Sequence, residues 1–305
     1  MRWQVKCLFD SVKGIFPFQD QMRRLKRRVV RYRPDPQNDE STIRQGLEQI
    51  ACVASAIELR SAVILEIGSG WQPMIPILYS LAGARRIIMT DLTRLCDTYT
   101  FQGALESLRS NQALIADRLH LQGPEIEGIL TWNAGETIEE SFKRLRITYM
   151  APCDLRRTGL PPGSLDVVVS RAVLEHIPPG TIREIFSEMR RILRPGGVMY
   201  HLIDNSDHWE HGDKSISKVN FLQFSEPLFR WASLNGQNYQ NRLRHPEYAR
   251  CLEEAGFGIV REDRVMDEAS LRILPSLRLA RRFAGFSHED LATITSVYVA
   301  RKRAE

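Results

Sequence analysis

Cysteine is scarce in this chain, and its spacing excludes two common uses. The five cysteines, at positions 7, 52, 96, 153 and 251, form no Cys-x-x-Cys pair. This spacing argues against structural zinc, and together with the lack of a secretory leader it predicts reduced thiols and a cytoplasmic protein. Long apolar runs are also missing, so the sequence offers no stretch that could span a membrane as a helix.

Features of nucleic-acid-binding modules are equally absent. The net charge of +5 comes partly from a basic block near the N-terminus, and no aromatic-interleaved basic sheet or zinc module accompanies it. We therefore expect no nucleic acid partner. With 43% hydrophobic and 26% charged residues over 305 positions, the composition predicts one globular core with appended segments.

A short apolar run that ends in a glycine turn is the most informative segment. Residues 62–70 read AVILEIGSG, and Asp91 follows at the end of a second apolar run, RRIIMTD. The first run has the character of a buried parallel strand, and the segment from Met74 continues as a helix. Glycine lets the backbone approach a ligand, and an acid ending the next strand can accept both hydroxyls of a ribose. The pattern predicts a nucleoside site.

One missing glycine narrows the choice of nucleoside. A dinucleotide fingerprint needs a third glycine three places after Gly70, where Pro73 stands, so NAD is disfavoured. Glu66 at the strand end would repel a phosphate, whereas it could reach the cationic amino acid end of S-adenosylmethionine. The site suits a ligand with a ribose and no phosphates.

Further strand ends follow in the order that an α/β sheet requires. Residues 149–155 predict the end of a third strand, and residues 164–170 predict a fourth strand that runs into RAVLEHI, residues 171–177. A helix is predicted from Thr181 to Leu193, with Thr181 as N-cap and Glu184 in the capping-box position. Residues 194–197, RPGG, are expected to end it before a fifth strand over residues 198–203.

These linked motifs resemble the class I S-adenosylmethionine-dependent methyltransferases, in the branch whose fourth strand ends in a leucine-glutamate-histidine-isoleucine turn. The resemblance covers roughly residues 57–204. It departs from the family at Gln72, where a third glycine is usual, and at the bulky Trp71. It implies a Rossmann-like α/β fold with a mostly parallel seven-stranded sheet and an antiparallel C-terminal strand. It also implies cofactor contacts: Glu66, Gly68 and Gly70 on the methionine and ribose side, Asp91 at the ribose hydroxyls, Asp154 and Leu155 beside the adenine, and Arg171 at the methionine end.

Histidines and carboxylates gather where the fifth strand ends. The candidate catalytic residues are His201 and His208, with Asp204 and Asp207 to orient them, and His211 lies close by. A histidine oriented by an aspartate can act as the base for a hydroxyl acceptor. The same residues could instead hold a divalent metal that lowers the pKa of a bound diol, although we favour a base over a metal. They could also form a packed loop with no role in catalysis. Glu175 and His176 either act directly or shape the pocket wall.

The ends of the chain complete the predicted organisation. Residues 1–40 form a basic amphipathic arm, and residues 41–305 the methyltransferase domain, with insertions at 205–245 and 267–290 that cap the substrate site. Within this arm, residues 1–33 could be a lid, a dimer contact, an anchor on anionic lipid or a helix packed on the domain. A helix from Pro246 to about Gly256 and strands near 259–265 and 296–301 are expected to close the fold as an antiparallel pair.

The acceptor is predicted from resemblance alone. The segments HLIDNSDHW, from His201, and NRLRHPEYARCLEEAGF, from Asn241, are similar to methyltransferases of bacterial glycan and secondary-metabolite pathways. They imply O-methylation of a small hydroxylated metabolite or sugar. Two alternatives stay open: an acceptor that is lipid-linked or membrane-associated, and a protein that binds S-adenosylmethionine without catalysis.

Overall fold

The computed structural model describes residues 35–233 and 239–303. The predicted basic arm, residues 1–33, lies outside these residues. A helix spans Pro36–Ala54, so the predicted boundary at residue 40 falls inside a helix. Within the described residues, no helix has both the length and the apolar character needed to cross a membrane.

Helices and strands alternate through most of the described chain. The strands are β1 Val63–Ile67, β2 Arg86–Thr90, β3 Ile147–Met150, β4 Leu165–Arg171, β5 Leu193–Asp204, β6 Phe257–Met266 and β7 Thr293–Lys302. The α-helices are α1 Pro36–Ala54, α2 Met74–Leu81, α3 Thr98–Ser110, α4 Gln112–Leu119, α5 Gly123–Leu130, α6 Ile138–Arg144, α7 Pro179–Ile192, α8 Glu226–Ala232, α9 His245–Glu254, α10 Glu268–Ile273 and α11 His288–Ala292. Short 3₁₀ turns occur at Leu174–His176, Asn220–Gln223, Leu274–Ser276 and Arg281–Phe283.

The seven strands form one sheet in the order β3-β2-β1-β4-β5-β7-β6. The pairs from β3 through β5 are parallel, and β7 runs antiparallel to both β5 and β6. This confirms the predicted Rossmann-like fold with its antiparallel C-terminal strand. Strand order reverses at β1 and β4, and in open α/β sheets ligands bind beyond the carboxyl ends of the strands at such a point.

Apolar residues cover both faces of the sheet. Every residue of β1 is buried, which is typical of a central parallel strand between two helical layers. Helix α1 packs on one face through Ile43, Leu47, Ile50 and Val53, whose helical spacing places them on a single stripe. Helices α7 and α9 cover the other face. The described cysteines, at positions 52, 96, 153 and 251, are free thiols.

Two predicted boundaries near β5 are wrong. Helix α7 begins at Pro179 with Pro178 as its cap, not at Thr181, because proline fits the first helical turn, where its missing N–H needs no partner. Strand β5 begins at Leu193, before the RPGG segment, instead of at Val198. The pairing with β4 shifts between Leu165 and Val167, which accommodates the extra residues as an irregularity inside the strand.

The two predicted insertions pack against each other and form a third apolar cluster. This cluster, which we call the cap, contains Trp209, Phe221 and Phe229 from the first insertion and Leu274 and Phe283 from the second. The backbone N–H of Ala280 donates to the carbonyl of Leu222 at 2.9 Å and joins the two segments. The cap therefore has a small core of its own beside the two layers on the sheet.

Arg244 fastens the cap to the sheet. Its side chain is completely buried and donates to three backbone carbonyls, those of Asn205 at 2.8 Å, Leu291 at 3.1 Å and Thr293 at 2.7 Å. Burial lowers the pKa of Arg244 to about 10, so the guanidinium still carries its charge at neutral pH. It satisfies carbonyls of two segments that are distant in sequence.

We expect Arg244→Met to lower the free energy of unfolding by about 3 to 5 kcal/mol, because it leaves three buried carbonyls without donors. Arg250→Met, at an exposed position of the same helix region, is the matched control and should change stability by less than about 0.5 kcal/mol. Chemical denaturation of both variants measures the difference. Equal stability of the two variants would contradict the fastening role.

Candidate active site

Beyond β1 and β2, a glycine turn and a carboxylate form one corner of the candidate site. The backbone N–H of Gly70 donates to Oδ2 of Asp91 at 3.1 Å, and the N–H of Thr93 donates to Oδ1 at 3.1 Å. A carboxylate offers about four lone-pair sites, so acceptor capacity remains for two more donors. The glycine turn and Asp91 therefore lie side by side, and this corner can accept a ribose diol. We call it the ribose corner.

The two glycines of the turn have different surroundings. A Cβ on Gly68 would lie 2.7 Å from Cγ2 of Val173, so this position brings the turn close to the loop after β4. A Cβ on Gly70 would meet nothing within 4 Å. Both residues have positive φ, 71° and 65°, which favours glycine. Gly70 therefore borders open space where a ligand fits, while Gly68 packs the site together.

Glu66 lies buried at the end of β1, and its Oε2 has no hydrogen-bond partner. Burial raises the pKa of Glu66 to about 7, and the nearby cation of Arg171 opposes this rise. Arg171 in turn donates from Nε to Oε1 of Gln45 at 2.6 Å. A buried carboxylate with one unpartnered oxygen fits the cationic amino acid end of S-adenosylmethionine. Sequence reasoning missed Gln45, although the apolar stripe of α1 could have placed its helix on the sheet.

The predicted adenine-side residues are close in sequence but differ in exposure. Asp154 is exposed and binds Arg156, whose hydrogen bonds lower the pKa of Asp154 to about 2. Leu155 is buried in the apolar layer on the sheet. Leu92, directly after Asp91, is 75% exposed and was not predicted. An exposed apolar side chain beside a ribose corner is a suitable surface for a base.

The contacts of His201 and Asp207 are made to residues other than the candidate catalytic ones. His201 is buried, with Nδ1 2.7 Å from Oγ of Ser170 and its ring stacked on Phe186, and burial lowers its pKa to about 3. Asp207 accepts the backbone N–H of Trp209 at 2.8 Å, which is a turn contact inside the loop. This geometry favours His208 and Asp204 at the site, while the role of each residue stays a prediction.

Three histidines and two carboxylates form what we call the histidine cluster: Glu175, His176, Asp204, His208 and His211. Oδ2 of Asp204 lies 3.3 Å from Nε2 of His208 and 3.9 Å from Nε2 of His211. The ring of His208 lies 5.0 Å from that of His176 and 4.9 Å from that of His211. The cluster joins the loop after β4 to the loop after β5.

Electrostatics differ sharply between the two carboxylates of this cluster. Burial raises the pKa of Glu175 to about 8, and neither of its oxygens has a hydrogen-bond partner. Asp204 is half-buried, and this desolvation raises its pKa, but His208 and the hydroxyl and N–H of Ser206 outweigh it and lower the pKa to about 2. Asp204 is therefore ionised at neutral pH, and Glu175 is poised to ionise when a cation is near.

A segment far along the chain holds the cluster in place. The carbonyl of Tyr239 lies 2.9 Å from Nδ1 of His176, and Oε1 of Gln240 accepts the N–H of His208 at 3.0 Å. Asn241 donates from Nδ2 to the carbonyls of Leu174 at 2.7 Å and Ile177 at 2.9 Å. We call residues 239–241 the strap. Asn241 begins one of the segments that are similar to known methyltransferases, but no local pattern predicts these contacts.

Comparison with known proteins bears on the family and not on the individual residues of this site. Residues 133–201 match the family model described as a methyltransferase domain. This match confirms the predicted resemblance to methyltransferases over that segment, and the sheet order agrees with the fold that the resemblance implies.

One curated relative and two solved structures illustrate the similarity. The human thiol S-methyltransferase TMT1B is 30% identical over 129 residues, so the aligned part spans 42% of this chain and 43% of that protein. The Burkholderia thailandensis 1,6-didemethyltoxoflavin-N1-methyltransferase is 16% identical, with a TM-score of 0.47 and coverage of 88% of this chain and 82% of the other. The Haemonchus contortus phosphoethanolamine N-methyltransferase 2 is 16% identical, with a TM-score of 0.47 and coverage of 84% and 52%. At this level of similarity, the two structures do not indicate the methyl acceptor of this protein.

The buried carboxyl of Glu66 predicts a pH dependence of stability. Because the folded-state pKa, about 7, lies above the ordinary value of 4.5, this group contributes stability below about pH 4.5 that is lost as pH rises through 7. Glu66→Gln removes that dependence. Between pH 5 and pH 8, we expect the stability of the unsubstituted protein relative to Glu66→Gln to fall by about 2 to 3 kcal/mol.

Denaturation at several pH values, in the absence of ligands, measures this difference. Glu184→Gln, on the exposed face of α7, is the matched control and should follow the unsubstituted protein. A difference between the unsubstituted protein and Glu66→Gln that stays constant over this range would show that Glu66 titrates normally.

Proposed function

We propose that this protein transfers a methyl group from S-adenosylmethionine to a hydroxyl group of a small metabolite or sugar. S-adenosylmethionine supplies a methyl group made electrophilic by a sulfonium. The observation that carries the proposal is the joint placement of the ribose corner, beyond β1 and β2, and the histidine cluster, beyond β4 and β5, at one edge of the sheet. Arg171 lies between them at the end of β4 and acts electrostatically on both Glu66 and Glu175.

Each group has a definite task in this proposal. Gly70 and Asp91 bind the ribose, and Glu66 with Arg171 orients the amino acid end of the cofactor. The cap and the histidine cluster bound the space for the acceptor. Methyl transfer from a sulfonium mainly requires alignment and exclusion of water, and a hydroxyl acceptor must also lose its proton. Asp204 and His208 are the residues that we propose to act on that hydroxyl.

A thiol acceptor is the second candidate. The relative that aligns with 42% of this chain is a thiol S-methyltransferase, which favours sulfur as the nucleophile. A thiol ionises more easily than an alcohol, so it depends less on a base. A panel of sugars, phenols, catechols and thiols with labelled S-adenosylmethionine separates the two candidates. Membrane contact through residues 1–33, a lipid-linked acceptor and binding without turnover stay predictions from the sequence.

Cofactor binding gives the first test. We expect calorimetry to show binding of S-adenosylmethionine and S-adenosylhomocysteine and no binding of NAD. Asp91→Ala should weaken cofactor binding by about 1 to 3 kcal/mol because two ribose hydroxyls lose their acceptor. Asp117→Ala, at an exposed position on α4, is the matched control. Unchanged affinity in Asp91→Ala would refute the assignment of the corner.

Turnover gives the second test. With an acceptor from the panel, His208→Ala should lower kcat by about 10²- to 10⁴-fold while cofactor affinity stays near that of the unsubstituted protein. His288→Ala, an exposed histidine on α11, should leave both unchanged. If His208→Ala retains full turnover, the histidine cluster is only a wall of the pocket and alignment alone accounts for catalysis.

A further inference from the structure

Three side chains of the histidine cluster converge as ligands of a metal ion do. Glu175, His176 and His208 each offer one ligand atom, and these atoms lie within 4.8 Å of one another. Two histidines and one carboxylate are a recurring donor set for Zn²⁺, Fe²⁺ and Mn²⁺, and they leave coordination positions open for a further ligand. Metal ligands at about 2.0 to 2.2 Å from a tetrahedral ion lie about 3.4 Å apart, so small side-chain rotations suffice to close the site.

Glu175 gives an independent reason to expect a cation. It is 3% exposed, and neither carboxylate oxygen has a hydrogen-bond partner. A buried carboxylate without partners is costly, whereas one that binds a cation is not. Arg171 is close enough to act on Glu175 electrostatically, but its Nε–H bonds to Gln45. None of the hydrogen bonds of the described residues reaches the carboxylate oxygens of Glu175, which stay available for an ion.

One of the two histidines, His176, is oriented as metal ligands usually are. The backbone carbonyl of Tyr239 accepts from Nδ1 of His176 at 2.9 Å, which places the proton on Nδ1 and leaves the lone pair of Nε2 free. Nε2 of His208 is buried and lies 3.3 Å from Oδ2 of Asp204, so His208 must exchange this contact for the ion if Nε2 is its ligand atom. Through the strap, the carbonyl of Tyr239 would thus act as the outer support that orients a metal-binding histidine.

We propose that Glu175, His176 and His208 bind one divalent transition-metal ion, and that an open position of this ion binds the oxygen of the acceptor. This proposal rests on the proposed function and deepens it, because His208 then acts on the acceptor hydroxyl as a ligand of the ion and no longer as a base. The acceptor's O–H bond breaks, its electron pair stays on the oxygen that binds the ion, and the proton leaves to water. An ion stabilises the resulting alkoxide and lowers the pKa of the hydroxyl. The acceptor class is then a diol, catechol or similar oxygen donor that can ligate a metal.

Metal binding can be measured without any acceptor. The untagged full-length protein is stripped with a chelator and dialysed, and Zn²⁺, Mn²⁺ and Mg²⁺ are added separately during calorimetry, with metal content measured by mass spectrometry. We expect one Zn²⁺ or Mn²⁺ per chain, and weaker binding of Mg²⁺, which prefers oxygen ligands. Titration with Co²⁺ adds a visible spectrum that reports the number and geometry of ligands.

Single substitutions test the ligand set. Loss of an outer support alone weakens metal binding by about 10- to 100-fold, so loss of a ligand in Glu175→Gln, His176→Ala or His208→Ala should weaken it by about 100-fold or more. Glu175→Gln preserves size and should fold normally, and His288→Ala should bind metal as the unsubstituted protein does. Absence of stoichiometric metal, or binding that survives Glu175→Gln, would overturn the proposal.

Cofactor binding separates this proposal from the proposed function. Glu175→Gln should lose the metal and retain affinity for S-adenosylmethionine. If the stripped protein binds S-adenosylmethionine but no metal, only the metal site is refuted. If the metal binds and S-adenosylmethionine does not, the ion site stands and the methyltransferase assignment falls.

Discussion

The strap, residues 239–241, is the constraint on which the candidate active site depends. Its three residues bond to both loops that carry the histidine cluster: Tyr239 and Asn241 hold the loop after β4, and Gln240 holds the loop after β5. The backbone N–H of Asn241 also donates to the carbonyl of Glu175 at 2.8 Å. Loops on a sheet edge usually move more than the strands that bear them. Here three consecutive residues fix two loops relative to each other.

The turn that the strap holds carries backbone strain. Ala172 has a φ of 51°, in the left-handed region that alanine rarely adopts, at a cost of about 1 kcal/mol or more. Its N–H donates to the carbonyl of Leu202 at 2.8 Å, which ties the turn to β5. The buried amide of Asn241 compensates for this strain by satisfying two carbonyls of the same turn. The strained turn brings Glu175 and His176 towards His208.

Local patterns in the sequence predicted the sheet and the ribose corner, because both depend on short segments. The run before Gly70 predicted a buried strand, and the register of β1 with β2 then brings Gly70 to Asp91. The positions of the candidate catalytic residues depend on contacts that short segments do not show. On β5, Met199, His201 and Ile203 all lie in the apolar layer under α7, or contact it, so the strand's alternation could have placed His201 on that face. His208 lies in the loop after the strand, where the alternation of side chains between two faces no longer applies. Its neighbour His176 lies in a different loop. The strap contacts join residues that lie 32 to 67 positions apart, and local sequence gives no signal for them.

The separation of the cap from the ribose corner gives the fold two independently variable parts. The apolar cluster of the cap is distinct from the layers on the sheet, and Arg242 holds it internally through the carbonyls of Phe221 at 2.9 Å and Phe224 at 2.7 Å. The ribose corner instead depends on β1, β2 and the turn at Gly70. Substitutions that reshape the cap therefore leave the packing under the corner intact, since sites without shared partners behave independently. Between the ribose corner and the histidine cluster lies Arg171, whose charge acts on Glu66 on one side and Glu175 on the other. Because both carboxylates lie near this one half-buried cation, Arg171 links the two parts of the candidate site at the end of β4.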